Sequence, residues 1–294
     1  MKKTNETGTD KLVKGRSQGQ EIWHRFKKNK AAMASLVFII IMILAVVFAP
    51  LLTKYNYSDQ NLRETFHGPS AEHWLGTDNM GRDTFSRMLY GGRISLLLAF
   101  CSIIVTLIVS LPLGAILGYY GGTFDTVVTR ILDIIMALPS ILLCITISAA
   151  LGPGLINTAI AMSVGSLPQF ARQVRASILT LRGNEYVDAA RSFGAKGPRI
   201  ILRHIIPNSL APLIVQVSMK LSQNILTISS MSFIGLGVQP PTPEWGSILN
   251  AGRAYVDTFP QMMLWPGLMI GLSMLCFSLL GDGLRDAMDP RLKD

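Results

Sequence analysis

Charge is scarce in this sequence: 15% of its 294 residues are Asp, Glu, Lys or Arg, where a soluble domain carries about 25%. Hydrophobic residues make up 49% and are gathered into long runs, which excludes an ordinary soluble globule and points to a membrane. Cysteine is rare too. Cys101, Cys144 and Cys276 all lie inside apolar runs, at spacings that exclude a zinc cluster or a disulfide framework; they read as small hydrophobes. No GxxxxGK[ST] phosphate loop occurs, and "GAKGP" at 194–198 lacks both the spacing and the Ser/Thr, so the chain is not itself a P-loop ATPase. HExxH and GxSxG are missing, which removes the usual machinery of zinc and serine hydrolysis. His67 and His73 have no partners at metal-ligand spacing. Long repeats and low-complexity segments are missing as well.

What is present is a basic balance and six apolar runs. The net charge is +9, and nine Lys/Arg lie in the first 30 residues. No aromatic-interleaved basic surface accompanies them, so nucleic acid is not an expected partner; they read as the cytoplasmic flank of a membrane segment. Thirty polar residues precede a 22-residue apolar run. A cleaved signal has a shorter core of about 7–15 residues, so this run is expected to stay as an anchor. A hydrocarbon core of about 30 Å needs about 20 helical residues. The expected spans are Ala31–Leu52, Ile94–Tyr119 with Pro112 as a kink, Val127–Leu151 containing Pro139, a short Leu155–Phe170, Leu210–Phe233 interrupted by Lys220, and Met262–Leu280.

Orientation follows from Lys/Arg counts. With the N-terminus inside, the inner segments hold nineteen (nine in 1–30, seven in 171–209, three in the tail) and the outer segments 53–93 and 234–261 hold six. The positive-inside rule then expects both termini in the cytoplasm. The outer segment 53–93 is too short for a domain and is expected to pack on the body, turning at Gly68-Pro69.

One polar stretch interrupts the oil. "EYVDAARSFGAKGPRI", residues 185–200, falls on the cytoplasmic side. Tyr186, Ala189, Ala190 and Phe193 recur at i, i+3, i+4 and i+7, which is one helix face. Asp188 and Arg191 can pair at i, i+3. Asn184 suits the N-cap, Gly194 the left-handed residue past the C-terminus, and Pro198 the start of a second short helix. Pro207 is expected to end that helix and lead into the fifth span. A face centred on two alanines, with aromatics at its rim, suits a protein groove; the alternative is a helix resting on lipid.

This stretch resembles the cytoplasmic coupling motif of membrane subunits of ABC importers: Glu-Ala-Ala, three residues, Gly, nine residues, then Ile-x-Leu-Pro. Here Asp188-Ala189-Ala190 is followed by Gly194 and then by His204, Ile205, Ile206 and Pro207. Asp replaces Glu, His the first Ile, and Ile the Leu. "HWLGTDNMGRDTFSRMLYGGRISLL" (73–97), "SFIGLGVQPPTPEWGSIL" (232–249) and "LLGDGLRDAMDPRL" (279–292) resemble the C-type subunit of the dipeptide/oligopeptide/nickel permeases. The resemblance covers roughly residues 25–294.

The resemblance implies an all-α integral membrane fold with six transmembrane helices of the type I ABC importer kind and both termini cytoplasmic. It divides the chain into a basic segment 1–30 and a permease domain 31–294, with coupling helices at 184–206. It implies a second homologous permease, two cytoplasmic ATPase subunits that bind ATP and Mg, an extracytoplasmic solute-binding protein, and no cofactor or metal in this chain. By position it assigns ATPase coupling to Tyr186, Asp188, Ala189, Ala190, Gly194 and Pro207. The solute is expected to be a peptide; nickel, or another small solute such as an opine or glycoside, shares the motifs, and a receptor without transport is the remaining class.

Two groups of charges stand apart. Lys220, mid-span, and Asp133 are the candidates for lining the translocation pathway; alternatively Lys220 pairs with the partner permease or with Asp133, whose easier partner is Arg130 at i−3. Asp78, Arg82, Asp83, Arg87 and Arg93 either tie the outer segment to the heads of the spans or seat the binding protein by charge complementarity.

Overall fold

The computed structural model describes residues 18–288; the rest of the basic N-terminal segment, 1–17, and the tail charges Arg291 and Lys293 lie outside them. Among the described residues there is no β-strand, only an isolated bridge between Thr77 and Asp83. Helix α1 (Gln18–Lys28) leads into α2 (Lys30–Val47) and a single turn, α3 (Ala49–Leu52). Asn29 starts α2 by accepting the Ala32 N–H at 3.1 Å, which satisfies one of the orphan donors at a helix start. Phe26 of α1 is buried with Ala32 and Ala287, so α1 packs against the end of the chain's last helix.

Helix α4 (Thr84–Tyr120) begins ten residues before the expected start at Ile94. Asp83 caps it, accepting the Ser86 N–H at 2.7 Å. The hydropathy rises only after Arg93, which is why the run alone hides the first turns. At about 55 Å for 37 residues, α4 is far longer than the hydrocarbon core is thick. Pro112 lies within it.

The expected single span Val127–Leu151 is two helices, α5 (Gly122–Met136) and α6 (Ser140–Leu151), bent by 85°. Pro139 causes the break: it has no N–H to donate and drives Leu138 away from helical angles. Helix α7 (Leu155–Arg182) runs twelve residues past the expected end at Phe170. Its second half is polar on one side, yet Ala171, Val174 and Ile178 are fully buried on the other, so amphipathic packing carries it on. Then come α8 (Glu185–Ser192), α9 (Gly197–Ile200), a π-helical turn (201–205), α10 (Ile206–Phe233), α11 (Trp245–Gly252) and α12 (Gln261–Met288). Four of the described helical segments are long and apolar enough to cross a membrane: Lys30–Val47, Thr84–Tyr120, Gly197–Phe233 and Gln261–Met288. The bent pair α5–α6 would make a fifth.

Small residues let the long helices approach. A Cβ placed on Gly114 would lie 2.5 Å from the Ala171 carbonyl oxygen and 2.7 Å from Val174 Cβ. One on Gly118 would lie 2.8 Å from Arg175 O and from Ile178 Cβ. This GxxxG pair brings the backbones of α4 and α7 together, as membrane helices do when lipid offers no hydrophobic drive. Polar side chains join the same core: Ser163 Oγ donates to Ser102 O at 3.1 Å, and Asn224 Nδ2 donates to Ser102 Oγ at 3.0 Å.

The stretch 234–261, expected as an outer connection, holds α11, which packs among α4, α10 and α12. Glu244 and Ser247 form a capping box. Glu244 is fully buried, and its Oε1 accepts the Ser95 hydroxyl at 2.9 Å. Trp245, also fully buried, donates from Nε1 to Met88 O at 3.0 Å. Gly92 leaves room for it: a Cβ there would lie 2.7 Å from the indole ring. On the outside of the bundle, Ile40, Ile41 and Leu44 of α2 and Ile104, Val105 and Ile108 of α4 are exposed, a surface that suits hydrocarbon rather than water.

The α4–α7 contact predicts a stability effect. Gly114→Leu forces a side chain into backbone, and should cost at least the 1–3 kcal/mol of ordinary overpacking, about 1–3 kcal/mol. The solubilised protein should melt several degrees lower by fluorescence-detected size exclusion. Gly271→Ala, whose Cβ meets nothing within 4 Å, should leave the transition where it is.

Candidate functional site

Helix α8 is held from beneath and bare on top. Val187 is fully buried and Ala190 half-buried; both join a cluster with Val174, Ile178, Ile200, Ile205 and Leu213. Tyr186 and Ala189 are exposed, and Phe193 is 92% exposed. The expected single face therefore divides: Tyr186, Ala189 and Phe193 point outward, while Ala190 turns with Val187 toward the body. The periodicity missed Val187 because its face is completed by α7, α9 and α10 rather than by α8 itself. Asp188 and Arg191 pair at 3.0 Å on the exposed side.

The C-terminus of α8 closes as a Schellman motif. Gly194 N–H donates to Arg191 O at 2.9 Å and Ala195 N–H to Ala190 O at 3.0 Å, with Gly194 at φ +78°. That is the left-handed residue this closure needs. At the other end, Asn184 takes the N-cap position, but its side chain makes no cap hydrogen bond. Gly197 lets the chain run close under α4: a Cβ there would lie 2.6 Å from Tyr120 Oη. Arg182, the last residue of α7, donates to Tyr119 O at 3.0 Å and so caps the end of α4.

Pro207 does not end a short helix. It stands in the first turn of α10, and the helical path is continuous from Gly197 to Phe233. The π turn before it makes this possible: Ile206 N–H donates five residues back, to Ile201 O. The wider turn makes room for a ring that would clash with the carbonyl four residues back in an α-helix. One helical rod thus joins the loop after α8 to the middle of the bundle.

Lys220 lies near the middle of α10. A Lys at the bilayer centre costs about 2.5–3.5 kcal/mol on insertion scales, so it should face an interior or water. It borders an open cavity of about 390 Å³, with Gln169 and Gln173 of α7, Gln216 and Gln223 of α10 and Arg285 of α12. Asp133 pairs with neither Lys220 nor Arg130. It pairs with Arg172 at 3.1 Å, because the bend after Met136 lays α5 along α7. On the same helix pair, Arg175 holds Asp125 through two hydrogen bonds of 2.5 and 2.6 Å. The notable omission from the sequence reading is therefore Arg172 and Arg175, two cations three apart on α7 facing two acids on α5.

Each of the outer charges has a partner within the protein. Asp78 accepts from Arg82 Nε at 2.7 Å and lies 3.5 Å from Arg87 Nε. Asp83 accepts both the N–H and the hydroxyl of Ser86, and lies 2.8 Å from His73 Nδ1. All four residues are buried. Arg93 donates to Val46 O and Val47 O and lies over the Tyr90 ring. These residues fasten the outer segment to the heads of α2 and α4; four of the five have no exposed charge to offer a visiting protein. Phe66, at φ +59°, anchors the same segment by stacking on Phe259 at 4.4 Å. Among the described residues no group of three or more His, Cys, Asp or Glu is placed to hold a metal.

Comparison with known proteins places this architecture. Residues 110–294 match the family described as binding-protein-dependent transport system inner membrane component. Residues 17–69 match the N-terminal TM domain of oligopeptide transport permease C. The Dipeptide transport system permease protein DppC of Alkalihalophilus pseudofirmus is 46% identical, over 94% of this chain and 91% of its own. The Glutathione transport system permease protein GsiD of Pectobacterium atrosepticum is 43% identical over 97% and 94%. The Di/tripeptide transport system permease protein DppC of Pseudomonas aeruginosa is 42% identical over 94% and 93%. Among solved structures, the MetNI methionine ABC transporter in inward-facing conformations superposes with a TM-score of 0.57 at 19% identity, covering 69% of this chain and 97% of that one; the likeness is one of fold. Matched over nearly its whole length by such permeases, this membrane protein belongs to the family of inner membrane components of binding-protein-dependent transport systems.

Proposed function

We propose that this permease imports short peptides. The observation that carries the reading is that relatives matched end to end are permeases for dipeptides, di- and tripeptides, and glutathione. In this reading the chain crosses the membrane six times, with the bent α5–α6 pair and α7 supplying the third and fourth crossings and both termini cytoplasmic. The excess of nineteen Lys/Arg over six on the inner side supports that orientation. A second homologous permease completes the pathway, and a solute-binding protein delivers the peptide from outside.

Two separate ATPase subunits, which bind ATP and Mg, drive the cycle, and α8 docks in a groove of one of them. Tyr186, Ala189 and Phe193 present the apolar contact, with Asp188 beside them; Val187 and Ala190 hold the helix to the body, and Gly194 sets its exit. Closure of the ATPases pushes α8. The push passes through α9, the π turn and Pro207 into α10, so the cavity beside Lys220 changes its access. Asp133, tied to Arg172, helps keep α5 on α7.

Uptake of a labelled dipeptide, of glutathione and of radioactive nickel, in host cells with and without the chain, tests the substrate. Loss of peptide uptake alone is expected; loss of nickel uptake alone overturns the peptide reading.

The docking helix makes a second prediction. Gly194→Val places a branched side chain at a left-handed position, at a cost of about 1–2 kcal/mol. If that cost falls on docking, roughly tenfold less ATPase should co-purify with the tagged chain, with its amount in the membrane unchanged. Gly194→Asn, which tolerates the left-handed region, should retain most of it. Normal co-purification and transport with valine would remove α8 from the coupling account.

A further inference from the structure

The cavity beside Lys220 carries a sign. Its border includes two cations, Lys220 and Arg285, and four glutamines, and none of the described residues lining it is acidic. Arg285 Nη2 rests 3.1 Å from Met219 Sδ, and no ion pair of Lys220 occurs among the described residues. The acids on the neighbouring α5 are engaged elsewhere, Asp125 by Arg175 and Asp133 by Arg172. The four glutamines lie on two facing helices at helical spacing: Gln169 and Gln173 on α7, Gln216 and Gln223 flanking Lys220 on α10. Each amide offers both a donor and an acceptor.

A cation without a counter-ion, in a water-open recess with low-dielectric walls, concentrates anions. Amides around it can satisfy the polar backbone of an extended peptide without regard to its side chains. A glutamine set of this kind neither repels charge nor chooses among residues. Among the described residues that line the cavity, the charged groups are the two cations.

We infer that this cavity is an anion-selecting station on the translocation path, where the free carboxylate of a peptide meets Lys220 and the glutamine amides meet its backbone groups. The identity of the ligand rests on the peptide-import reading above; the sign of the field does not.

Two measurements on the assembled transporter in membranes test it. The first needs no substrate. Cys101, Cys144 and Cys276 are changed to Ala and Gln223→Cys is introduced. The new thiol is then treated with an anionic sulfonatoethyl and a cationic trimethylammonium methanethiosulfonate, each rate being scaled to a free thiol. The anionic reagent should be favoured about tenfold, within the range that focused fields produce, and Lys220→Gln should bring the two rates together. If neither reagent reacts, or the preference survives Lys220→Gln, the cavity is not a charged aqueous station.

The second compares uptake of alanyl-alanine and of its C-terminal amide, which lacks the carboxylate. Lys220→Gln should lower the acid-to-amide uptake ratio several-fold, and Lys220→Arg should restore it. Equal loss of both peptides would make Lys220 a structural residue and overturn the inference. If the wild-type chain moves no peptide, the peptide reading falls on its own, and the labelling ratio still decides the cavity's charge.

Discussion

Where α4 crosses α7, Gly114 and Gly118 bring the two backbones into contact, and the placement of most other elements follows from that approach. In lipid, helices gain nothing by hiding leucine from a solvent that is itself hydrocarbon. Close packing is left as the main attraction, and it grows as side chains at the crossing shrink. With α7 held on α4, Val174 and Ile178 face inward beneath Val187, which gives α8 its seat. The bend at Pro139 then lays α5 along the same helix, where Asp125 and Asp133 meet Arg175 and Arg172. Arg182 closes the arrangement by capping the end of α4.

Polar groups in the core work within the same constraint. Ser102, Ser163 and Asn224 hydrogen-bond across three helices, each a contact that costs little to form once the backbones are close. Glu244 is the more exacting case. A buried carboxylate is expensive unless its oxygens are satisfied, and here one oxygen takes the Ser95 hydroxyl and the other the Ser247 N–H at 3.0 Å. The outer charges follow the same logic. Asp78 is buried with Arg82 and Arg87, and Asp83 with His73 and Ser86, so their work is to hold a short segment in place.

Lys220 departs from this pattern. Among the described residues Lys220 has no ion pair, and it borders a cavity instead. A folded membrane protein tolerates that only where water or a ligand takes the partner's role. The rod from α9 through the π turn into α10 joins that cavity to the loop that follows the exposed helix α8.

The sequence by itself determined the class of the protein, the membrane runs, the exposed helix at 185–192 with its Gly194 exit, and the family, because these depend on local spacing and on contiguous hydropathy. It fell short wherever a feature depends on which helix lies opposite. Hydropathy stops at Phe170 although α7 continues on a buried stripe. It begins at Ile94 although α4 is already capped at Asp83. It reads Val127–Leu151 as one continuous helix although the chain bends by 85° at Pro139. Only the tertiary structure decided that Val187 and Ala190 anchor α8 while Phe193 stands free, that Arg172 rather than Arg130 takes Asp133, and that Lys220 opens on glutamines. Those outcomes are set by contacts between residues distant in the chain, and a one-dimensional pattern carries no term for them.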